Sequence, residues 1–143
     1  MSDLDLTAAA TYDHWVDEVV RFSDTDLVGH VNNVAIAAYV ESGRVAFASG
    51  LLQPVHDAGG LVTLRRVELD YLAELHYPAA LRIGSRLLAI GRTSLTVGTG
   101  VFEGRRCVAT SRGVLVALGA DGPEPLSDDI RRELEAALPG ASD

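Results

Sequence analysis

From Asn32 to Gly50 the chain reads NNVAIAAYVESGRVAFASG, and polar residues are scarce in it. The run VAIAAYV (34–40) offers no polar face, and only Glu41, Ser42 and Arg44 interrupt the apolar character further on. The pattern predicts a helix from Asn33 to about Ser49, with Asn32 as its N-cap and Gly50 as its stop. A helix that is apolar nearly all round must be buried nearly all round. Its alanines at 35, 37, 38, 46 and 48 allow neighbouring backbone to come close. In a chain of 143 residues, the rest must therefore wrap this one segment.

The wrapping material reads as strands. DEVVRFSD (17–24) reads as a first strand before the helix. After it, LVTLRRVELDYLA (61–73) alternates around Val67, Leu69 and Tyr71, with Glu68 and Asp70 facing the other way. ALRIGSRLLAIGR (80–92), SLTVGTGVFE (94–103) and RCVATSRGVLVAL (106–118) complete the set. The last is nearly apolar on both faces, which places it centrally in a sheet. EGRR (103–106) reads as a hairpin turn. Hairpin-length connections predict a mostly antiparallel sheet. Beyond it, Pro123 and Pro125 end the strand, and Ser127, Asp128 and Asp129 suit the start of a short helix over 126–138. Ile130, Leu134 and Leu138 give that helix an apolar stripe. Residues 1–12 read as a loose arm. The expected architecture is α+β: one domain over 1–143, with a curved antiparallel sheet of five to six strands around one long central helix. An open sheet leaves two edges, and pairing in a symmetric dimer removes one of them.

Composition excludes several classes of function. The lone Cys107 makes neither an internal disulfide nor a zinc site, and fits a reducing cytoplasm. No leader peptide and no membrane span are expected. The net charge of −8 is unevenly placed: residues 19–118 hold eight acids and ten arginines, and the excess acid lies at the two ends. That argues against nucleic acid as a partner and leaves room for a small phosphorylated ligand. All twelve basic residues are arginine, so Schiff-base chemistry on lysine is excluded. His14, His56 and His76 are scattered without metal-ligand spacing, so neither a metal nor a separate cofactor is expected.

The stretch before the helix, FSDTDLVGHVNN (22–33), carries the unusual chemistry. Acids ahead of a helix often serve only its positive end, and a histidine there often only makes a turn. DTDLVGHVNNVAIAAYVESGR (24–44) nevertheless resembles hotdog-fold thioesterases of the 4-hydroxybenzoyl-CoA thioesterase type. Their pattern runs D-T-D-x-x-G-H-V-N-N and then Y-x-E-x-x-R. It is matched at Asp24, Thr25, Asp26, Gly29, His30, Val31, Asn32, Asn33, Tyr39, Glu41 and Arg44. VELDYLAELHYPAALRIGSRL (67–87) resembles the strand pair that follows, and the likeness spans residues 17 to 118. The chain departs from the pattern at Ile36, often tyrosine, and at Ser85, often aspartate.

The resemblance implies acyl-CoA thioester hydrolysis at a dimer interface, in a homodimer or homotetramer. Asp26 is the implied catalytic carboxylate, acting as general base or as nucleophile. The N–H of Asn33, in the first helical turn, is the implied donor to the thioester carbonyl. His30 either orients Asp26 or water, or is a turn residue. Asp24 ranks below Asp26, because strand alternation turns it the other way. Glu41 most simply pairs with Arg44 at i,i+3, and is the reserve carboxylate. Arg65, Arg66, Arg92 and Ser94 are candidate contacts for the CoA phosphates. Acyl carrier protein as substrate carrier, a hydratase, and a non-catalytic acyl-CoA-binding domain are the alternatives.

Overall fold

The long helix lies across a six-stranded sheet in the computed structural model, which describes residues 4–140. The strands are β1 (His14–Val19), β2 (Leu61–Tyr71), β3 (Ala80–Ile90), β4 (Ser94–Glu103), β5 (Arg106–Gly119) and the short β6 (Gly122–Pro123). Helices α1 (Asn33–Leu51) and α2 (Gln53–Asp57) separate β1 from β2, and α3 (Asp128–Glu135) follows β6. The order across the sheet is β1-β3-β4-β5-β2, with β6 on β5, and every pairing is antiparallel. Register shifts at Leu64/Arg66, Leu87/Ala89 and Val101/Phe102 bend the strands and curl the sheet about α1. β5 is interior, as its two apolar faces require, although β4 holds the middle.

Two connections depart from expectation. Residues 72–79 form no hairpin: they carry the chain from β2 on one edge to β3 on the other side of the sheet. The first strand runs 14–19 rather than 17–24. It stops because the Asp24 carboxylate takes the Arg21 N–H (3.0 Å) and folds Phe22–Asp24 into a 3-10 turn.

Asn32 caps α1 as expected, its side chain accepting from the Ala35 N–H at 2.7 Å. Gly50 does not end the helix. The helix continues to Leu51, and the chain then turns into α2, whose first turn holds Pro54. Nor is α1 buried all round. Ala35, Ile36, Tyr39, Val40, Gly43, Arg44 and Phe47 face the sheet, while Val34, Ala38, Ser42, Val45, Ala46 and Ser49 are exposed. The helix packs chiefly on β1, β3 and β4, and its contact with the edge strand β2 is slight. Leu61, Leu64, Val67 and Tyr71 on the edge strand β2 are likewise exposed. At the crossing with β3, a Cβ on Gly43 would lie 2.3 Å from Ile83 Cγ2, so only glycine seats the helix this deeply.

One core cluster gathers Ile36, Tyr39, Val40, Leu75, Ile83 and Val101. The other gathers Phe47, Leu52, Leu87, Val97 and Leu134. Leu134 comes from α3, which Ser127 caps and whose apolar stripe closes that end. The arm is not loose. Residues 1–3 lie outside the described residues, but Leu6 and Tyr12 are buried with Phe102. The Tyr12 ring lies over Gly84 and Gly100, which leave space for it, and its hydroxyl donates to the Leu6 carbonyl at 2.6 Å. No helix among the described residues is long and apolar enough to cross a membrane.

Candidate active site

Residues 22–32 cross one end of the sheet before α1 begins. Asp24 is half-buried and bonds toward the core. Its Oδ2 accepts from the Arg21 N–H and from the Tyr39 hydroxyl, and its carbonyl accepts from the Asn32 N–H at 2.9 Å. Tyr39 is 3% exposed, so its hydroxyl needs this acceptor. The Tyr39 hydrogen bond holds the Asp24 carboxyl below the usual carboxylate range. Burial, and then the same carboxylate, push the Tyr39 phenol above its ordinary value. Asp24 therefore ranks below Asp26 for a better reason than alternation: its work is structural.

Asp26 sits on the exposed side of the same segment. Its Oδ1 accepts from the Val28 N–H (3.0 Å) and the His30 N–H (3.2 Å), folding a tight loop in which Gly29 takes φ +87°. The Asp26 N–H closes the loop on the His30 carbonyl at 2.8 Å. Its second oxygen, Oδ2, takes no hydrogen bond from the described residues. The carboxylate is thus fixed in direction by one oxygen and open at the other.

The first turn of α1 lies beside it. A helix start leaves its first N–H groups without intrahelical acceptors. Here the Asn32 side chain takes Ala35 and its carbonyl takes Ile36, which leaves the Asn33 and Val34 N–H groups without an acceptor among the described residues. The Tyr71 hydroxyl donates to the Asn33 carbonyl at 3.1 Å and ties the helix start to the end of β2. Asp26, His30, Asn32, Asn33, Ile36, Tyr71 and Glu74 line one cavity of about 560 Å³. A carboxylate and the positive end of a helix thus face the same space, the arrangement needed to act on a carbonyl carbon while holding its oxygen.

The His30 side chain meets Glu74 and His76. Its Nε2 lies 3.4 Å from Glu74 Oε2, and its ring meets His76 edge-on, centroids 4.8 Å apart. Glu74 Oε2 also lies 3.8 Å from His76 Nε2. His76 is therefore not isolated, contrary to its spacing in the sequence. An antiparallel bridge between His30 and His76 joins the loop to the 72–79 crossover, a contact across 46 positions that local spacing does not reveal. Tyr71, Glu74 and His76 are the site residues that the sequence pattern did not single out. The only hint was their crowding in DYLAELHY.

The remaining candidates lie elsewhere. Glu41 sits 3.8 Å from Arg44 and borders a different cavity, with His56 and Leu64. Burial is the main influence on Arg44, lowering its pKa against the pull of Glu41. Arg65 and Arg66 lie on β2, where Arg66 pairs with Glu68 at 2.8 Å. Arg66 is five residues from Tyr71, about 17 Å along a strand. Ser94 stands in register with Val116 and hence Thr63, near the arginines but at the sheet end opposite Asp26. The Arg92 carbonyl accepts from Leu126 N–H at 3.1 Å, so its turn rests against the C-terminal segment. None of these four borders the Asp26 cavity within one chain.

Residues 20–134 match the thioesterase-like superfamily. The chain belongs to that superfamily. The structure resembles a thioesterase of Thermus thermophilus solved with coenzyme A and zinc. The two share 32% identity over 86% of this chain and 92% of that one, with a TM-score of 0.76. It also resembles a predicted thioesterase of Bacillus stearothermophilus, at 30% identity over 87% and 97% of the two chains and a TM-score of 0.72. The uncharacterized protein YsmA of Bacillus subtilis (strain 168) is 33% identical over 78 residues, 54% of this chain. That match spans about half the length of the curated relative, 53%. The curled antiparallel sheet around α1 is the hotdog fold of these thioesterase-superfamily neighbours.

Proposed function

We propose that the chain hydrolyses the thioester of an acyl-coenzyme A to the free acid and coenzyme A. The observation that carries this reading is that Asp26 and Asn33 line one cavity, and that one carboxylate oxygen and the Asn33 N–H take no hydrogen bond among the described residues. The acyl carbonyl accepts from the Asn33 N–H, which draws electrons from the carbonyl carbon. Asp26 Oδ2 takes a proton from a water as that water attacks the carbon. The tetrahedral intermediate collapses, the C–S bond breaks, and the proton held by Asp26 passes to the departing thiolate. Direct attack by Asp26 would instead give a mixed anhydride that water then opens. Single turnover in ¹⁸O-water tests the second route, because label in the Asp26 carboxylate arises only when water opens an anhydride at the Asp26 carbon.

The Asp24-to-Arg44 motif supports the 4-hydroxybenzoyl-CoA thioesterase type, and the coenzyme A in the Thermus structure supports the carrier. Arg65, Arg66, Arg92 and Ser94 are proposed to hold the phosphates, at the far end of the long CoA arm. The exposed apolar residues of β2 and of α1 support a dimer in which two β2 edges pair. Tyr71 lies both on that edge and in the cavity, which supports an active site at the interface. The lone cysteine supports a reducing cytoplasm. The test is thiol release from a panel of acyl-CoA and acyl-carrier-protein thioesters, with enoyl-CoA added to expose hydration. Release from at least one acyl-CoA is expected. Tight binding across the panel without release would replace hydrolysis by a ligand-binding role.

A further inference from the structure

We propose that His30, Glu74 and His76 form a binding site for a divalent transition-metal ion of the zinc class, one that clips the Asp26 loop to the 72–79 crossover. One ligand atom from each residue lies within 4.8 Å of the other two. A tetrahedral zinc with bonds of about 2.0–2.1 Å holds its ligand atoms roughly 3.4 Å apart. The Glu74 oxygen stands 3.4 Å from His30 Nε2 and 3.8 Å from His76 Nε2, so modest side-chain rotation closes the set. Two imidazoles and one carboxylate favour zinc or cobalt over magnesium or calcium, which prefer all-oxygen shells.

The backbone already orders these ligands. Leu75 is fully buried, so the alternation of an extended chain directs Glu74 and His76 together to the outside. The Glu74 carbonyl accepts from the Arg106 guanidinium at 2.9 Å. The Val31 N–H donates to the Leu75 carbonyl at 2.8 Å, and His30 bridges to His76. Both strands of the clip are therefore in register without a metal. The side chains of Glu74 and His76 are 68% and 58% exposed, which leaves an ion a path in from solvent and positions for water. His30 and Glu74 also border the Asp26 cavity, so the ion sits at its rim. The proposal is independent of the thioester reading, since metal binding is measured without turnover.

The test uses the full chain stripped with chelator and titrated with Co²⁺ and Zn²⁺. One ion per chain is expected, with the visible absorption bands of low-symmetry cobalt in the Co²⁺ titration. Zinc at a hundredfold excess over its dissociation constant should raise Tm by roughly 5–10 °C. His76→Ala and Glu74→Gln should each weaken Zn²⁺ binding at least tenfold while keeping the metal-free Tm, because both side chains are exposed. His56→Ala, distant in the fold, should bind like wild type. Unchanged affinity in both His76→Ala and Glu74→Gln overturns the site, as does wild type without saturable one-to-one binding. A metal-free Tm that falls in one variant leaves the other to decide.

Discussion

The Asp24 half and the Asp26 half of the loop carry the same functional group two positions apart and direct it differently. Asp24 turns inward, and its Oδ2 and carbonyl meet Arg21, Tyr39 and Asn32. Asp26 is exposed, is held only by N–H groups of its own loop, and lines a cavity with one oxygen free of hydrogen bonds among the described residues. A carboxylate bonded to the hydroxyl of a buried tyrosine is a brace. One held only by its own loop at the edge of a cavity is available for chemistry. The difference follows from α1: Tyr39, two turns into the helix, needs an acceptor for its buried hydroxyl, and Asp24 is the acid in reach.

The strongest way to break this contrast is Asp26→Asn. The amide keeps an oxygen for the Val28 and His30 N–H groups but cannot take a proton. Thiol release should fall about 10²–10⁴-fold while Tm stays close to wild type. Equal release in wild type and variant would make Asp26 a loop former only. Gly43→Ala separates the site from the scaffold that both halves share. Its new methyl meets Ile83 and must push α1 away from β3. A loss of about 1–3 kcal/mol in urea unfolding is expected from such overpacking, with activity per folded molecule reduced because the Asn33 donor moves with the helix. A variant as stable as wild type would show that the seat is less tight than the Ile83 contact implies.

Much of this was legible in the chain, and the failures share one cause. Period-two alternation marked β2, strand-like apolar runs marked β3 to β5, and Asn32 and Ser127 marked the helix starts, because these signals are local. The Asp26–Asn33 juxtaposition was legible for the same reason, as one short loop joins the two residues. The crossover at 72–79 was not, since the order of strands in a sheet leaves no trace in their periodicity. With it went the approach of His76 to His30. The burial of Leu6 and Tyr12 was hidden too: it depends on Gly84 and Gly100 leaving room in strands far along the chain. The expectation that α1 is buried all round describes what its sequence demands. A single chain meets that demand on one face only, and Val34 and Val45 stay exposed, as do the apolar residues of β2.

Tyr39→Phe sharpens the contrast from the other side. It removes the hydroxyl that Asp24 accepts and leaves Asp26 untouched. Because Asp24 is only part-buried, the lost bond should cost about 1 kcal/mol rather than the value of a fully buried charged pair. Thiol release per folded molecule should hold. The effect should also depend on pH with a definite sign. Asp24 titrates lower in the folded chain than its ordinary value of 3.8, chiefly through the Tyr39 bond. Its contribution is therefore complete above about pH 5, and it fades as pH falls through 3.8 toward the lower folded value. The stability gap between wild type and Tyr39→Phe should narrow between about pH 5 and pH 2, read by urea unfolding at fixed ionic strength. Tyr39 itself adds an alkaline limb: its raised pKa means stability declines once the unfolded phenol ionises near 10. Tyr12 is raised in the same direction by burial, so the alkaline limb has two sources and the acid limb is the cleaner measurement. A gap that stays constant from pH 5 to pH 2 would mean that the Tyr39 hydroxyl does not favour the charged form of Asp24. The brace would then rest on packing alone.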